Sequence, residues 1–599
     1  MSRLASRTPK GCLLRSFAAP SPRCAAPSGT RLLSTEKKKP EQDGPSFKGQ
    51  MLESIADRLS RERKERELAA MSRPENAASR NWGITGMIIL TALGCYYMGT
   101  KYPRDVDPNS TLPLSATRPP KHETGKAKLE AAWTDLADVV GKENISTKDS
   151  DLEHHATSDW SSHPTDPSER PFCVVYPATT EEVSAIMKIC HSRRIPVVGF
   201  SGGTSLEGHF APTRGGICID FGRMNKIVAL HKEDLDVTVQ PAVGWESLND
   251  QLAKDNLFFP PDPGPGAMIG GMVGTGCSGT NAYRYGTMRD WVLSLTVVMA
   301  DGTIIKTRQR PRKSSAGYDL TRLFIGSEGT LGLVTEATLK LTVKPQSTSV
   351  AVAAFPSIRH AANCVTRVVE DGIPIAAIEI LDGDMMRFVN KAGTTTRTWK
   401  EAPTLFFKFS GTQSGVKEQV ALVREMAKRA GGQTFDFAKN EDEQTELWSA
   451  RKEALWSTIS MGRPGDHVWT GDVAVPISRL PDLIEETKQD VGRSGLTNAL
   501  VGHVGDGNFH LMLLYNDKER TLAEECVHRM VKRAVEMEGT VTGEHGVGLV
   551  KRDYLPHELG ETTVDAMRKL KQAFDPLCLL NCDKVVRVQK PKRGEVSEW

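Results

Sequence analysis

Residues 81–100, NWGITGMIILTALGCYYMGT, run without a charged side chain; dense charge precedes them and a proline-rich stretch follows. As a helix at ~1.5 Å per residue the run spans roughly 30 Å, the hydrocarbon thickness of a bilayer. From residue 151 the pattern becomes that of a folded body. FCVVY (172–176) is a short apolar run. Thr179 and Glu182 then make a capping-box pattern, and Val183, Ile186, Met187 and Cys190 recur at helical spacing. IPVVGF (195–200) and LSLTVVM (293–299) read as strands, and Asp301-Gly302 as a hairpin turn between VVMA and TIIKT. Past residue 347, strand-like PTLFFKFS (403–410) alternates with helical VKEQVALVREMAKRA (416–430). LWSARKEALW (447–456) reads as one helix, and Leu500-Val501 and Phe509–Leu514 as strands around a Gly505–Asn508 turn. The expected fold is α+β in two lobes, residues 151–347 and 348–585, with a polar tail over 586–599.

Charge changes the picture at the N-terminus. Arg3, Arg7, Lys10, Arg15, Arg23 and Arg31 precede the first acidic residue, Glu36. That composition predicts a mitochondrial transit peptide over residues 1–40. Residues 41–80, with RERKERE at 61–67, form a charged segment, 81–100 a transmembrane helix, and 101–150 a linker. Trp82, Tyr96 and Tyr97 stand near the ends of the span, and Lys101 and Arg104 close it. Positive charge ahead of the span favours an N-terminus in the matrix, an inner-membrane anchor and a body facing the intermembrane space. The net charge of +3 gives no argument for a nucleic-acid partner. The eleven cysteines include no CxxC pair, which favours reduced, buried thiols over a zinc ribbon.

Three glycine-rich stretches suggest a phosphate-bearing ligand. The strand at 195–200 runs into SGGTSLEG (201–208), where glycines let backbone N–H groups converge on a phosphate and Thr204 and Ser205 add hydroxyls. PPDPGPGAMIGGMVGTGCSGTNAYRYG follows at 260–286 and IGSEGTLGLVTEATLKL at 325–341. Gly274–Gly279 fits GxGxxG with Asp301 downstream, but it follows a proline turn instead of a strand, so a dinucleotide-binding reading is rejected.

Three polar groupings stand out in the second lobe. Arg451 lies among apolar residues and has the side chain best shaped to hold a carboxylate. VGHVGDGNFH (501–510) carries two histidines. If Val504 faces Phe509, His503 faces His510, with Cβ atoms about 5 Å apart, close enough to share a metal ion or merely to hydrogen-bond to neighbours. GTVTGEHGVG (539–548) offers Glu544 as a third ligand, if carried on an adjacent strand, and His545 as a base. A His, His, Glu set suits a divalent ion of the zinc or manganese kind.

Together the glycine stretches resemble the FAD-binding domain of the vanillyl-alcohol-oxidase/p-cresol-methylhydroxylase flavoprotein family. The residues that carry the likeness are Ser201, Gly202, Gly203, Thr204, Ser205, Leu206 and Gly208; Pro261, Asp262, Gly270, Gly271, Gly276, Ser278, Gly279, Asn281 and Gly286; and Gly326–Val334, with Glu328, Gly329, Gly332 and Val334. GHVGDGNFH, GEHGVG, GDVAVP (471–476) and DPLCLLN (575–581) are similar to the D-2-hydroxy-acid dehydrogenase branch of that family. The resemblance implies bound FAD, non-covalent because no attachment residue stands out, and a metal on His503, His510 and Glu544. It further implies His545 as the base, Arg451 on the substrate carboxylate and Asn581 near the flavin ring. LNCDK stands where the branch has LNPGK, so Cys582 and Asp583 put the local backbone in question. The implied activity is oxidation of a D-2-hydroxy acid such as D-lactate to the 2-oxo acid, with cytochrome c as acceptor. D-2-hydroxyglutarate and glycolate are alternative substrates. An ether-lipid synthase of the same flavin fold is a further alternative, disfavoured by the terminal Ser-Glu-Trp, which is no peroxisomal address.

Overall fold

The computed structural model describes residues 47–71, 77–101, 111–158, 160–164 and 166–591. The expected transit peptide, residues 102–110 of the expected linker and residues 592–599 of the tail lie outside them. The chain forms two compact units, residues 1–105 and 106–599.

The first unit contributes helices α1 (Phe47–Met71) and α2 (Ala77–Lys101). In α2, Trp82–Lys101 is long and apolar enough to cross a membrane, and none of it is buried. Its apolar side chains, Ile84, Met87, Ile88 and Leu90 among them, are all exposed.

The second unit begins earlier than the polarity of 101–150 suggests. Helix α3 (Lys126–Val140) buries Leu129, Ala132, Leu136 and Val140. These join Val183, Ile186, Met187 and Cys190 of α4 (Thr180–Arg193) over a four-stranded sheet. That stripe reads weakly in sequence because Thr134, Asp135 and Asp138 interrupt it. The sheet holds β1 (Ile145–Ser146), β2 (Cys173–Val175), β3 (Val197–Phe200) and β4 (Ile217–Asp220) in the order β1-β2-β4-β3. Thr179 caps α4 as expected, accepting the Glu182 N–H at 3.1 Å, while the Glu182 carboxylate takes the N–H of Ala178, one residue outside the cap. Each fully buried aliphatic side chain in this layer contributes ~1.5–3 kcal/mol.

A second, wholly antiparallel sheet follows: β5 (Ile227–His231), β6 (Asp236–Val239), β7 (Val292–Val298), β8 (Ile304–Lys306) and β9 (Leu333–Lys340), in the order β5-β6-β9-β7-β8. The Asp301-Gly302 turn joins β7 to β8 as expected, with Gly302 at φ 84°. The rejected GxGxxG lies at the C-terminal end of helix α5 (Ile269–Thr275), where Gly276 closes the helix left-handed, so it opens no helix onto a phosphate.

The second lobe is one seven-stranded antiparallel sheet. Its strands are β10 (Ser347–Ala354), β11 (Ala377–Leu381), β12 (Thr404–Gly411), β13 (Asp436–Phe437), β14 (His467–Ala474), β15 (Thr497–Gly502) and β16 (Asn508–Tyr515). They run in the order β13-β10-β12-β11-β15-β16-β14. Period-two alternation divides the side chains. Ile378, Ile380, Leu405, Phe407, Leu500 and Leu511 enter the large core on one face, and Leu381, Phe406, Val501 and Met512 the smaller core on the other. The second face carries the polar residues described below.

Near the C-terminal end of the second lobe, Leu580 bridges to Val197 and enters the core of the first sheet, while Val586 joins the large core of the second lobe. Val586 is buried and Arg587 pairs with Asp553, so the polar tail starts after them. Among the described cysteines all but Cys95 are buried and none is in a disulfide.

Candidate active site

Within the second unit a cavity of about 840 Å³ lies between the glycine loops and the polar face of the large sheet. Ser201, Gly202, Gly203, Thr204, Ser205, Asp262, Gly270, Gly271, Gly279, Glu328, Gly329, Gly332, Val334 and Asn581 line it, as the sequence led one to expect. Six predicted residues do not: Gly208, Pro261, Gly276, Ser278, Asn281 and Gly286. They shape the loops instead. The Asn281 N–H binds the Asp262 carboxylate at 2.8 Å and its Nδ2 the Pro260 carbonyl at 3.0 Å. Gly276 and Gly286 end short helices at positive φ, with Ser278 in the turn between. Pro261 is buried, and Gly208 passes His163, whose Cβ stands 2.7 Å from where a Gly208 Cβ would lie.

The glycine wall fits a pyrophosphate. Among the described residues no backbone N–H from Gly202 to Leu206 donates to another protein group, which leaves consecutive donors on the cavity wall. A Cβ on Gly203, at φ 65°, would sit 2.7 Å from Phe200 Cζ, so the loop needs glycine there. Further along the cavity, the ring nitrogens of His209 and the Oδ1 of Asn581 are buried without a hydrogen-bond partner. Asn581, at φ 39°, uses its Nδ2 to hold the carbonyls of His209 and Glu328 at 2.8 and 2.6 Å. The LNCDK departure is accommodated just beyond. Asp583 takes φ 69°, and its carboxylate is held by Arg214 at 2.7 and 3.0 Å and by Thr213 at 3.0 Å.

On the opposite wall the histidine register differs from the expected one by two residues. His510 stands opposite Val501 on one side and Asp472 on the other. His503 has left the strand, and residues 504–506 form a tight helical turn closed by Gly507 at φ 74°. The longer connection arises because Asn508 belongs to the strand, where Asp472 and the Val473 carbonyl hold its Nδ2 at 2.7 and 2.9 Å. The shift of two keeps His510 on the same face, and the two imidazoles still meet, 5.4 Å apart and edge to face. Glu544 arrives on a loop, not a strand. Its Oε1 lies 3.0 Å from Nε2 of His503 and 3.0 Å from Nε2 of His510. The three ligand atoms lie within 4.8 Å of one another. A tetrahedral ion with ~2.0–2.1 Å bonds wants ligand atoms about 3.3 Å apart, so the donor set fits a divalent cation. Burial opposes charge on Glu544, but the two imidazoles hold its carboxyl well below the usual range. Burial also opposes charge on His503, yet Glu379 and Glu544 outweigh it and raise the imidazole well above its ordinary value. His510, under the same burial, stays below its ordinary value. Two carboxylates on one imidazole favour positive charge here, which a proton or a divalent ion would supply.

Asp472 sets the loop that carries Glu544 and His545. Its Oδ2 accepts the N–H groups of Gly543, Glu544 and His545 at 2.8, 3.0 and 3.0 Å and the Thr542 hydroxyl at 2.8 Å. A second acidic grouping, Asp472 with His510 and His545, also has metal-like spacing, but these donors already occupy the Asp472 oxygens. His545 stacks flat on His510 at 4.9 Å, its Nδ1 3.3 Å from Glu207. Burial lowers its pKa, but Asp472 and Glu207 outweigh burial and leave it above the ordinary value. Lys551 balances the two carboxylates at 3.2 and 3.3 Å. Arg451 lies at the end of helix α6 (Glu441–Lys452); the expected single helix breaks at Glu453, and α7 (Ala454–Ile459) follows. Its Nε binds Glu379 at 2.8 Å, and Glu379 also binds His503 Nδ1 at 2.8 Å.

Glu379, Asp472, Glu207 and Lys551 are functional neighbours that the sequence reading left without a role. Glu379 had a signal, being the one charge in the apolar run AIEIL, and Asp472 another, inside GDVAVP.

The chain matches two family models, one described as an FAD binding domain over residues 171–308 and one as the C-terminal domain of FAD linked oxidases over residues 344–585. Among curated proteins, the mitochondrial D-lactate dehydrogenase (cytochrome) of Kluyveromyces lactis is 48% identical, over 84% of this chain and 89% of its own length. The mitochondrial D-lactate dehydrogenase (cytochrome) 1 of Saccharomyces cerevisiae is 49% identical over 81% and 84%. Among solved structures, p-cresol methylhydroxylase with substrate bound superposes with a TM-score of 0.65 at 17% identity, covering 78% of this chain and 99% of that one; this is a likeness of fold.

Proposed function

The chain belongs to the FAD-linked oxidase family, and we propose that it oxidises D-lactate to pyruvate at the mitochondrial inner membrane and passes the electrons to cytochrome c. It is a flavoprotein oxidoreductase by its FAD-binding and FAD-oxidase domains. The observation that carries the substrate reading is convergence: Arg451, the His503–His510–Glu544 set and His545 line the same cavity as the glycine loops. The names of the curated relatives carry the same acid and a cytochrome.

The roles follow from what each side chain can do. Gly202–Leu206 holds the FAD pyrophosphate on backbone N–H groups. Arg451 receives the substrate carboxylate, with its guanidinium fixed at Nε by Glu379. His503, His510 and Glu544 hold a divalent ion of the zinc or manganese kind. His545, kept basic by Asp472 and Glu207, takes the hydroxyl proton. When bound, FAD would supply the hydride acceptor, and a divalent ion on His503, His510 and Glu544 would lower the pKa of a substrate hydroxyl. Trp448, Leu455, Val468 and Met512 line the cavity together with the polar Lys452, Glu453 and Thr470. Lys408, with no ion-pair partner among the described residues, lines the same cavity. A second carboxylate would need that cation, so D-2-hydroxyglutarate is the rival to assay beside D-lactate.

FAD is bound non-covalently, and acid precipitation should leave the yellow colour in the supernatant; colour in the pellet would contradict this. The length and apolarity of Trp82–Lys101 support an inner-membrane anchor with the body in the intermembrane space. Protease added to mitoplasts with a ruptured outer membrane should then degrade the body, and its protection would overturn the orientation. Purified holoenzyme should reduce cytochrome c with D-lactate and not with L-lactate. Failure to do so with full FAD occupancy would overturn the acceptor.

A further inference from the structure

Glu379 is buried on β11 and spends one oxygen on each of two groups. Oε1 is 2.8 Å from His503 Nδ1, and Oε2 is 2.8 Å from Arg451 Nε. The same carboxylate therefore settles two geometries. With Nδ1–H donating to Glu379, His503 presents the lone pair of Nε2 toward Glu544 and His510, the orientation a metal ligand needs. With Nε–H tied down, the Arg451 plane is set, and its terminal N–H groups remain for a carboxylate. Glu379 is Arg451's one ion-pair partner among the described residues.

We propose that Glu379 is a positioning residue that couples the substrate-carboxylate cation to the metal ligand, so that carboxylate binding at Arg451 and metal binding at His503 strengthen each other. An arriving carboxylate shares the Arg451 charge and leaves more of the Glu379 charge facing His503. That raises the basicity of the imidazole and tightens its bond to the ion. By linkage, the metal must tighten carboxylate binding by the same factor. This inference rests on the metal and substrate roles proposed above for His503 and Arg451.

The experiment uses holoenzyme and pyruvate as a carboxylate probe that gives up no hydride. Metal affinity is measured by chelator competition with and without pyruvate, metal content by elemental analysis, and KM with D-lactate. In the unaltered protein pyruvate should tighten metal binding. Glu379→Gln should weaken the metal by about 10–100-fold, raise KM by about tenfold and lose the pyruvate effect. Arg451→Met should raise KM and lose the pyruvate effect while keeping the metal affinity measured without pyruvate. Glu379→Asp, which keeps the charge, should restore part of both. FAD content reports that each variant is folded. Unaltered metal affinity in folded Glu379→Gln overturns the inference alone. So does a pyruvate effect of zero in the unaltered protein, which can be read even if the variants fail to fold. A holoenzyme without stoichiometric divalent metal overturns the metal reading and this inference with it.

Discussion

The glycine wall of the cavity takes its donors from one continuous stretch, Gly202–Leu206, and uses backbone N–H groups. The facing wall collects Arg451, His503, His510, Glu544 and His545 from α6, β16 and two loops, backed by the buried carboxylates of Glu379 on β11 and Asp472 on β14, and uses buried charge. A backbone cradle depends on local conformation and tolerates change in the sheets behind it. A charge cluster depends on strand register and on every partner, because an ion stripped of its partner inside a protein costs several kcal/mol. The first wall is thus a property of a loop, and the second a property of the whole lobe.

The sharpest way to break that contrast is to remove one charge-wall side chain and ask whether the glycine wall notices. His545→Ala should slow flavin reduction by D-lactate by about 10²–10⁴-fold while FAD content stays unchanged. Anaerobic stopped-flow traces with the unaltered rate would end the assignment of the base. His510→Ala removes one ligand of three and should bring bound divalent metal to background by elemental analysis, again with FAD retained. Stoichiometric metal in that variant would refute the ligand set.

The reverse experiment targets the loop. Gly203→Val places a branched side chain at φ 65° against Phe200, a strain of ~1–3 kcal/mol. FAD affinity should fall by roughly 10–100-fold on that cost, with metal content unchanged. Loss of metal alongside FAD would mean that the walls are not independent. The smallest effect belongs to neither wall. Thr179→Ala deletes the cap of α4 and should lower stability by ~1 kcal/mol in a denaturant melt, leaving FAD and metal content as they were.

The contrast also explains what could be read from the sequence. Glycine stretches, the α4 stripe, the Asp301-Gly302 hairpin and the apolar run at 81–100 are local patterns, and each appears where it was expected. Six loop residues of the expected set do not line the cavity but shape the loops beside it, because spacing does not tell a lining glycine from a turn glycine. The histidine hairpin was placed two residues out of register, since Asn508 is held in the strand by Asp472, 36 residues earlier. The error left His510 on the correct face because a shift of two preserves the side-chain period. Glu379, Asp472 and Lys551 gained no role from the sequence. Their meaning comes from partners far along the chain, such as Arg451 and His503 for Glu379, 72 and 124 residues away. Helix α3 was hidden by the aspartates on its outer side and lay within what looked like a linker.

The most direct test of the account mixes FAD-replete enzyme with D-lactate or L-lactate in the absence of oxygen and any other acceptor, and follows the flavin absorbance. Bleaching with D-lactate and none with L-lactate is the predicted result. No bleaching with D-lactate, or equal bleaching with both, would contradict the proposal that this cavity holds a D-2-hydroxy acid against the flavin.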